Sequence, residues 1–369
     1  MRNDYEFWED YLKRIKKEIL KLCDKKETLQ IDLHIHSNYS SDGKQTIKQI
    51  IDSTHLKGFD IIAITDHDTL NAYNELYSYV KNALTNPIII PGIEFTMDNS
   101  DYGNQCHLLQ LFVNPKDETI DNNVTKNFEA SFNRSKIQFQ RLKENLAMQE
   151  IFRKNNIKVS FGEYKKYLLE NDLVPEYTTL CEYLMNKLQK KNITNFDIFK
   201  LLIKYNEKDV CENRRKLKQK RYEILKEKYK FQKGNFYNTR FLLSLLAVRE
   251  VDDDWFDAPS SGSLSVNSYG QLKIDEINEK YNIFFAHPSE NSLSVVEKII
   301  ASKKNIIGLE HNIRNKYQNV ERFNDLLTKY NLYKIVGSDS HDDTLQFYQD
   351  LEFYKISSKD FKDIVEDII

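Results

Sequence analysis

Apolar residues recur along this chain in three different rhythms. Over residues 1–28, Phe7, Leu12, Ile15, Ile19 and Leu22 are spaced three to five apart, which predicts one amphipathic helix. From 29 to 114 the rhythm breaks into short apolar runs (LQIDLHIH, DIIAITDH, PIIIPGIEF, CHLLQLFV) separated by helical stretches such as TIKQIIDSTHLKGF and LNAYNELYSYVKNAL. Runs of Ile, Leu and Val this short suit buried parallel strands, and their alternation with helices suits βαβ units. From 115 to 280 long polar helical segments dominate. From 281 to 369 the strand–helix alternation returns with YNIFFAHP, NIIGLEHN and YKIVGSDSH.

The two α/β stretches, 29–114 and 281–369, therefore read as one domain with seven candidate strands, interrupted by a mostly helical insertion over 115–280. That insertion is placed to serve as a lid or substrate domain. A closed barrel of parallel strands would present functional groups at the strands' C-terminal ends. The metal-type residues gather at those ends, except His107, which leads the fourth run.

Composition narrows the class. The chain has 369 residues, 40% hydrophobic and 30% charged, as expected of a globular protein. With 54 Lys+Arg against 56 Asp+Glu, a globally basic nucleic-acid binder is excluded. One local exception is the segment 211–233, with ten Lys/Arg against three Glu and with Tyr222, Tyr229 and Phe231 interleaved. It is either a solvated helical face or a surface for a nucleic-acid strand. No apolar run approaches a membrane span, and the charged MRNDYEFWEDYLKRIKK is not expected to be a signal peptide. Cys23, Cys106, Cys181 and Cys211 form no CxxC pair, so a reducing cytoplasm is the expected location. The oligomeric state has no signature.

Histidine placement carries the chemistry. His34 and His36 end the first strand two residues apart, so both rings share one face. His67 ends the second strand, His287 the fifth and His341 the last. Carboxylates accompany them: Asp42 in SSDG, Glu94 in PGIEF and Asp339 in SDSH. Imidazoles mixed with carboxylates suit Zn²⁺, Mn²⁺ or Fe²⁺. Nine such residues, with His107, exceed the three or four that hold one catalytic ion, so two or three ions fit better. His55 sits inside a predicted helix and is expected to be structural. His311 is either a pocket residue or an ordinary loop histidine.

The ordered set DLHIHSNYSSDG, ITDHDT, PGIEF, HLLQLF, AHP and GSDSH resembles the motifs of the PHP (polymerase and histidinol phosphatase) family. The resemblance implies a distorted (β/α)7 barrel, TIM-like, with a metal site that serves phosphoester hydrolysis. It assigns His34, His36, Glu94 and Asp339 to a first metal. Glu94, His107 and His287 go to a second, and Asp42, His67 and His341 to a third. Asp32, Asp66 and Glu310 become candidates for orienting the imidazoles.

Within the family, the SDG and TDHDT motifs are most similar to a branch that includes phosphatases of AMP and nucleoside 3′,5′-bisphosphates. The expected activity is hydrolysis of small phosphate monoesters, nucleotides in particular, by a hydroxide bridging two metals. That branch typically carries a GRPHIA-like segment in its insertion. The nearest counterpart here, VPEYTTLCEYLMNKL (with Pro175, Glu176, Tyr177 and Thr178), has no arginine. Two alternatives stand beside this reading. One is a nuclease that holds a strand through 211–233; the other is a metal-stabilised, non-catalytic interaction module.

Overall fold

The computed structural model describes residues 4–97 (except 41), 106–204 (except 172, 176, 195, 196, 199, 202 and 203), 216, 220, 223, 272–288, 293–313 (except 304), 320–341 and 348–368. Most of the basic segment 211–233, with its three aromatics, lies outside the described residues.

The chain divides into two compact units, one of residues 1–129 and 270–369, the other of residues 130–269. In chain order the first unit contains α1 (Asp4–Lys25), β1 (Thr28–Ile35), α2 (Ile47–Leu56), β2 (Ile61–Ile64), α3 (Ala72–Val80), β3 (Ile88–Met97), β4 (Cys106–Leu111) and the start of α4 (Glu118–Glu144). The second unit takes the rest of α4, then α5 (Leu146–Lys154), α6 (Phe161–Glu170) and α7 (Tyr177–Gln189). Back in the first unit are β5 (Ile283–Phe285), α8 (Leu293–Ser302), β6 (Ile306–Asn312), α9 (Val320–Tyr330), β7 (Tyr333–Gly337), β8 (Lys355–Ser357) and α10 (Ser358–Ile368).

Eight strands form one sheet in the order β7-β6-β5-β4-β3-β2-β1-β8. Near the ends of β1 and β7 the sheet curls back on itself. His36 N–H donates to Ser340 O at 3.0 Å, and Asp339 N–H to His34 O at 2.8 Å. The result is a nearly closed, barrel-shaped α/β sheet. The short β8, absent from the sequence reading, pairs antiparallel with the first residues of β1.

One strand corrects the all-parallel expectation. β4 runs antiparallel to both β3 and β5, whereas β1–β2, β2–β3, β5–β6 and β6–β7 are parallel. The cause is local: Met97 pairs with Cys106, and the eight residues between β3 and β4 are fewer than a crossover connection usually needs. Reversal puts the first residues of β4 beside the last residues of its neighbours. His107 therefore stands at the same end of the barrel as the other histidines, although it begins its strand.

The strand interiors are almost wholly buried, with β2 and β3 buried at every residue. α1 buries Trp8, Tyr11, Leu12, Ile15, Ile19 and Cys23. Tyr11 anchors it by donating to Ile89 O at 2.7 Å. The second unit has a core of its own, including Phe139, Leu142, Met148, Ile151, Tyr164, Leu184 and Leu188. Its helices α5 and α6 are capped by Asn145 and Ser160, whose side chains accept from backbone N–H groups three residues on.

Candidate metal centre

Glu94 lies at the middle of the barrel's histidine-bearing end, fully buried, and meets five imidazoles. Its Oε2 is 3.0 Å from His34 Nε2, 3.1 Å from His36 Nε2 and 3.2 Å from His67 Nδ1. Its other oxygen, Oε1, is 3.0 Å from both His107 Nδ1 and His287 Nε2. The two oxygens thus face two different groups of donors.

On the Oε2 side, Asp339 Oδ1 approaches His36 Nε2 at 3.2 Å and His34 Nε2 at 3.6 Å. On the Oε1 side, His107 Nδ1 and His287 Nε2 are 3.2 Å apart. A third group forms around Asp42, whose Oδ2 is 2.9 Å from His341 Nε2 and 3.7 Å from His67 Nε2. All nine residues named from the sequence are therefore brought together. Among the described residues, three sets have donor atoms within 4.8 Å of one another: His34/His36/Glu94/Asp339, His67/Glu94/His107 and His36/Asp42/His67/His341. Glu94, His36 and His67 each belong to two sets.

The donor chemistry fits cations. His34 Nε2 and His36 Nε2 are only 3.0 Å apart, and both point at a carboxylate oxygen. Ligands held about 2.0–2.2 Å from one ion at tetrahedral or octahedral angles are separated by about 3.0–3.5 Å. The separations around Glu94 match those polyhedron edges. The Nδ1 of His67 is buried without a hydrogen-bond partner, although Glu94 is near.

The far ring nitrogens point each near nitrogen inward. His34 Nδ1–H donates to Glu310 Oε2 at 3.0 Å, and His341 Nδ1–H to Asp339 O at 2.8 Å. His36 Nδ1–H reaches Ser40 Oγ at 3.2 Å. When the rings are neutral, these bonds leave Nε2 of all three with a lone pair directed into the cluster.

Electrostatics agree with the geometry. Burial alone would raise the Glu94 carboxyl, but His34, His67 and His107 outweigh it and hold it well below the usual range. Asp339 and Asp42 are likewise depressed, against burial, by the imidazoles around them. His287 is pushed up to about 9, where Glu94, Asp339 and Glu310 overcome burial. A cluster this rich in buried carboxylate demands positive charge. Protons on His34, His36 and His287, which the carboxylates hold above the ordinary imidazole range, supply it in the protein alone, and metal ions would supply it in their place.

Residues 32–195 match the PHP domain. The matched stretch contains His34, His36, Asp42, His67, Glu94 and His107, while His287, Asp339 and His341 follow beyond it. No curated protein matches the chain. Among solved structures, the chain is similar to a candidate metal-dependent phosphoesterase from Bifidobacterium adolescentis, with TM-score 0.52, 15% identity, and 84% of this chain and 87% of that one covered. An amidohydrolase from Chromobacterium violaceum, solved with sulfate and without metal, has TM-score 0.48 and 14% identity, covering 89% of this chain and 98% of its own. A two-domain protein with a PHP-like part from Bacteroides vulgatus has TM-score 0.35 and 13% identity, covering 89% of this chain and 57% of its own. At such identities the first likeness concerns the fold.

Around this cluster, the three carboxylates expected to orient imidazoles divide. Glu310 does so, through His34. Asp32 and Asp66 do not touch a ring. Asp32 accepts from the backbone N–H of Ser338 and His34 and from Tyr348 OH at 2.8–3.2 Å, which clamps β1 to the chain after β7. Asp66 accepts from Ser37 N–H and Oγ–H at 2.5 and 2.6 Å and fixes the turn after His36. His311 also leaves the site, packing against Phe323 and Phe353 at ring-centroid distances of 5.5 and 4.8 Å. His55 is exposed on α2.

Two supports were missed in the sequence. Ser40, buried, donates to Asp42 Oδ1 at 3.0 Å while accepting from His67 N–H and from the His36 ring. Asn127 of α4, fully buried, donates to Asp68 Oδ1 at 2.6 Å and to Thr96 O at 3.0 Å, and accepts from Leu272 N–H at 2.7 Å. It ties the start of α4 and the returning chain to the neighbours of His67 and Glu94. The serine lies in a run of serines and the asparagine within a polar helix, so neither has a sequence signal of its own.

Exposure grades across the cluster. His34, His36 and Glu94 have no exposed side-chain surface, whereas Asp42, His107 and His287 keep 25–28%. The cluster has a dry floor and an open rim.

Proposed function

We propose that this protein is a metal-dependent phosphoesterase that hydrolyses phosphate monoesters of small molecules, nucleotides among them. The carrying observation is Glu94, whose two oxygens face separate groups of imidazoles at 3.0–3.2 Å. His34, His36, Glu94 and Asp339 would hold one divalent ion, Glu94, His107 and His287 a second, and Asp42, His67 and His341 a third. Mn²⁺, Zn²⁺ and Fe²⁺ all suit this nitrogen and oxygen donor set. When bound, such ions neutralise phosphoryl oxygens and bring water toward ionisation at neutral pH.

The chain's own part is to fix donors before substrate arrives. Inward-facing lone pairs on His34, His36 and His341 are set by partners on their outer nitrogens. The dry floor keeps competing water away from the central carboxylate, and the rim of Asp42, His107 and His287 leaves an approach for an anionic ester. The match to the PHP domain and the likeness to a candidate metal-dependent phosphoesterase support the reaction class. The nucleotide reading rests on the TDHDT and SDG motifs and on the position of the insertion.

The test is phosphate release by manganese-reconstituted protein from AMP, a nucleoside 3′,5′-bisphosphate and a sugar phosphate, beside cleavage of an end-labelled single strand, with His341→Ala as control. Release from a small ester, lost in the variant, supports the proposal. Cleavage of the strand alone replaces it with the nuclease reading. Silence across the panel with metal bound contradicts both.

A further inference from the structure

Glu310 is fully committed at the floor of the site. It is buried, on β6, and one of its oxygens serves two residues assigned to different metals. Oε2 accepts from His34 Nδ1–H at 3.0 Å and from the backbone N–H of His287 at 2.6 Å. Oε1 accepts from Asn312 Nδ2–H at 3.0 Å. His34 belongs to the Oε2 side of Glu94 and His287 to the Oε1 side.

Two further features indicate that this position is built. His287 has φ of 28°, in the left-handed region that a histidine seldom adopts, and its N–H in that conformation meets Glu310. Gly337 leaves the space that the carboxylate fills: a Cβ there would lie 2.3 Å from Glu310 Oε1 and 2.5 Å from His34 Cβ. The glycine of the GSDSH motif thus makes room for a carboxylate from the neighbouring strand.

We infer that Glu310 is a positioning residue that couples the two metal positions sharing Glu94, fixing the ring of His34 for one and the backbone of His287 for the other. This inference rests on the metal-centre reading above. It goes beyond that reading by separating two positions, which depend on Glu310, from a third around Asp42, which does not. Supporting hydrogen bonds to metal-bound histidines typically govern metal affinity by about 10–100-fold.

The experiment is equilibrium dialysis of the full-length protein against Mn²⁺, with bound metal counted per chain, for wild type, Glu310→Gln and the double variant Glu310→Gln/Asn312→Asp. An amide at 310 turns a donor toward the Asn312 amide, and the second change restores an acceptor there. The expected result for Glu310→Gln is affinity weakened about 10–100-fold at two positions together, with the remaining position unchanged. That retained position also reports that the barrel is folded. The double variant should recover part of the loss. Wild-type binding at every position in Glu310→Gln would overturn the inference while leaving the metal-centre reading intact. Equal weakening at all positions would also overturn it, by making Glu310 a general structural residue. A wild type that binds no Mn²⁺ would overturn both.

Discussion

His107 Nδ1 lies 3.2 Å from His287 Nε2, and both nitrogens stand 3.0 Å from the same oxygen of Glu94. The two histidines are 180 residues apart in sequence. They meet because β4 runs antiparallel to β5, so that one strand begins where the other ends. This pair and the His34/His36 pair are bridged by one carboxylate, and the chemistry proposed for the site depends on that bridge.

Glu94→Gln should break it. An amide carries no charge and offers only one acceptor atom, so it cannot serve both donor groups. Bound Mn²⁺ should fall by two ions per chain relative to wild type, and phosphate release should fall by more than the roughly 100-fold that a lost supporting hydrogen bond costs. Metal analysis beside an activity assay checks this; a variant with full metal content and full activity would remove Glu94 from the centre of the account.

Gly337→Ala should damage the same floor by a different route. The added methyl would overlap Glu310 Oε1 and His34 Cβ, both nearer than a real Cβ contact allows. Overpacking of this kind costs about 1–3 kcal/mol. Denaturant unfolding should show that loss, accompanied by weaker metal binding, whereas Gly162→Ala should leave metal binding unchanged, because a Cβ there meets nothing within 4 Å.

Much of this site was legible because strand-end histidines and carboxylates have few other uses in such a pattern. The nine residues stand out as types at particular spacings. What stayed hidden was direction and support. DNSDYGNQ, between GIEFTM and CHLLQL, is too short for a crossover helix, which usually needs a dozen or more residues, and that length was the available signal for an antiparallel β4. Asp32 and Asp66 lie next to ligand motifs just as Glu310 does, yet only Glu310 touches an imidazole ring. Which backbone or ring a buried carboxylate meets is decided by strand register across the barrel, and sequence spacing along one strand does not contain it.

Asn127→Ala should destabilise the first unit without removing a ligand. The buried Asp68 carboxylate would lose one of its two donors, keeping Thr96 N–H, and Leu272 N–H would lose its acceptor. Leaving a buried N–H unsatisfied costs about 1–3 kcal/mol. The expected outcome is a lower Tm, with the number of Mn²⁺ ions bound at saturation unchanged; an unaltered Tm would mean that the network contributes nothing.

His311 predicts a pH dependence. Burial, assisted by Lys334, pushes its imidazole down to about 4, below the ordinary value near 6.5. In this window the unfolded chain takes up a proton that the folded protein refuses, so the contribution of His311 to stability is present above about 6.5 and is lost as pH falls toward about 4. His311→Phe, which keeps the stack on Phe323 and Phe353, should therefore raise Tm relative to wild type more at pH 5 than at pH 7.5. An equal change at both pH values would contradict the assignment.

The central claim is that divalent ions held around Glu94 hydrolyse a phosphate ester. The most direct test follows phosphate release from the small-ester panel as Mn²⁺ is added stepwise to metal-free protein. The account predicts negligible release without metal and a rise that levels off at two to three ions per chain. Full release before any metal is added, or none at saturating Mn²⁺ from any ester of the panel, would contradict it.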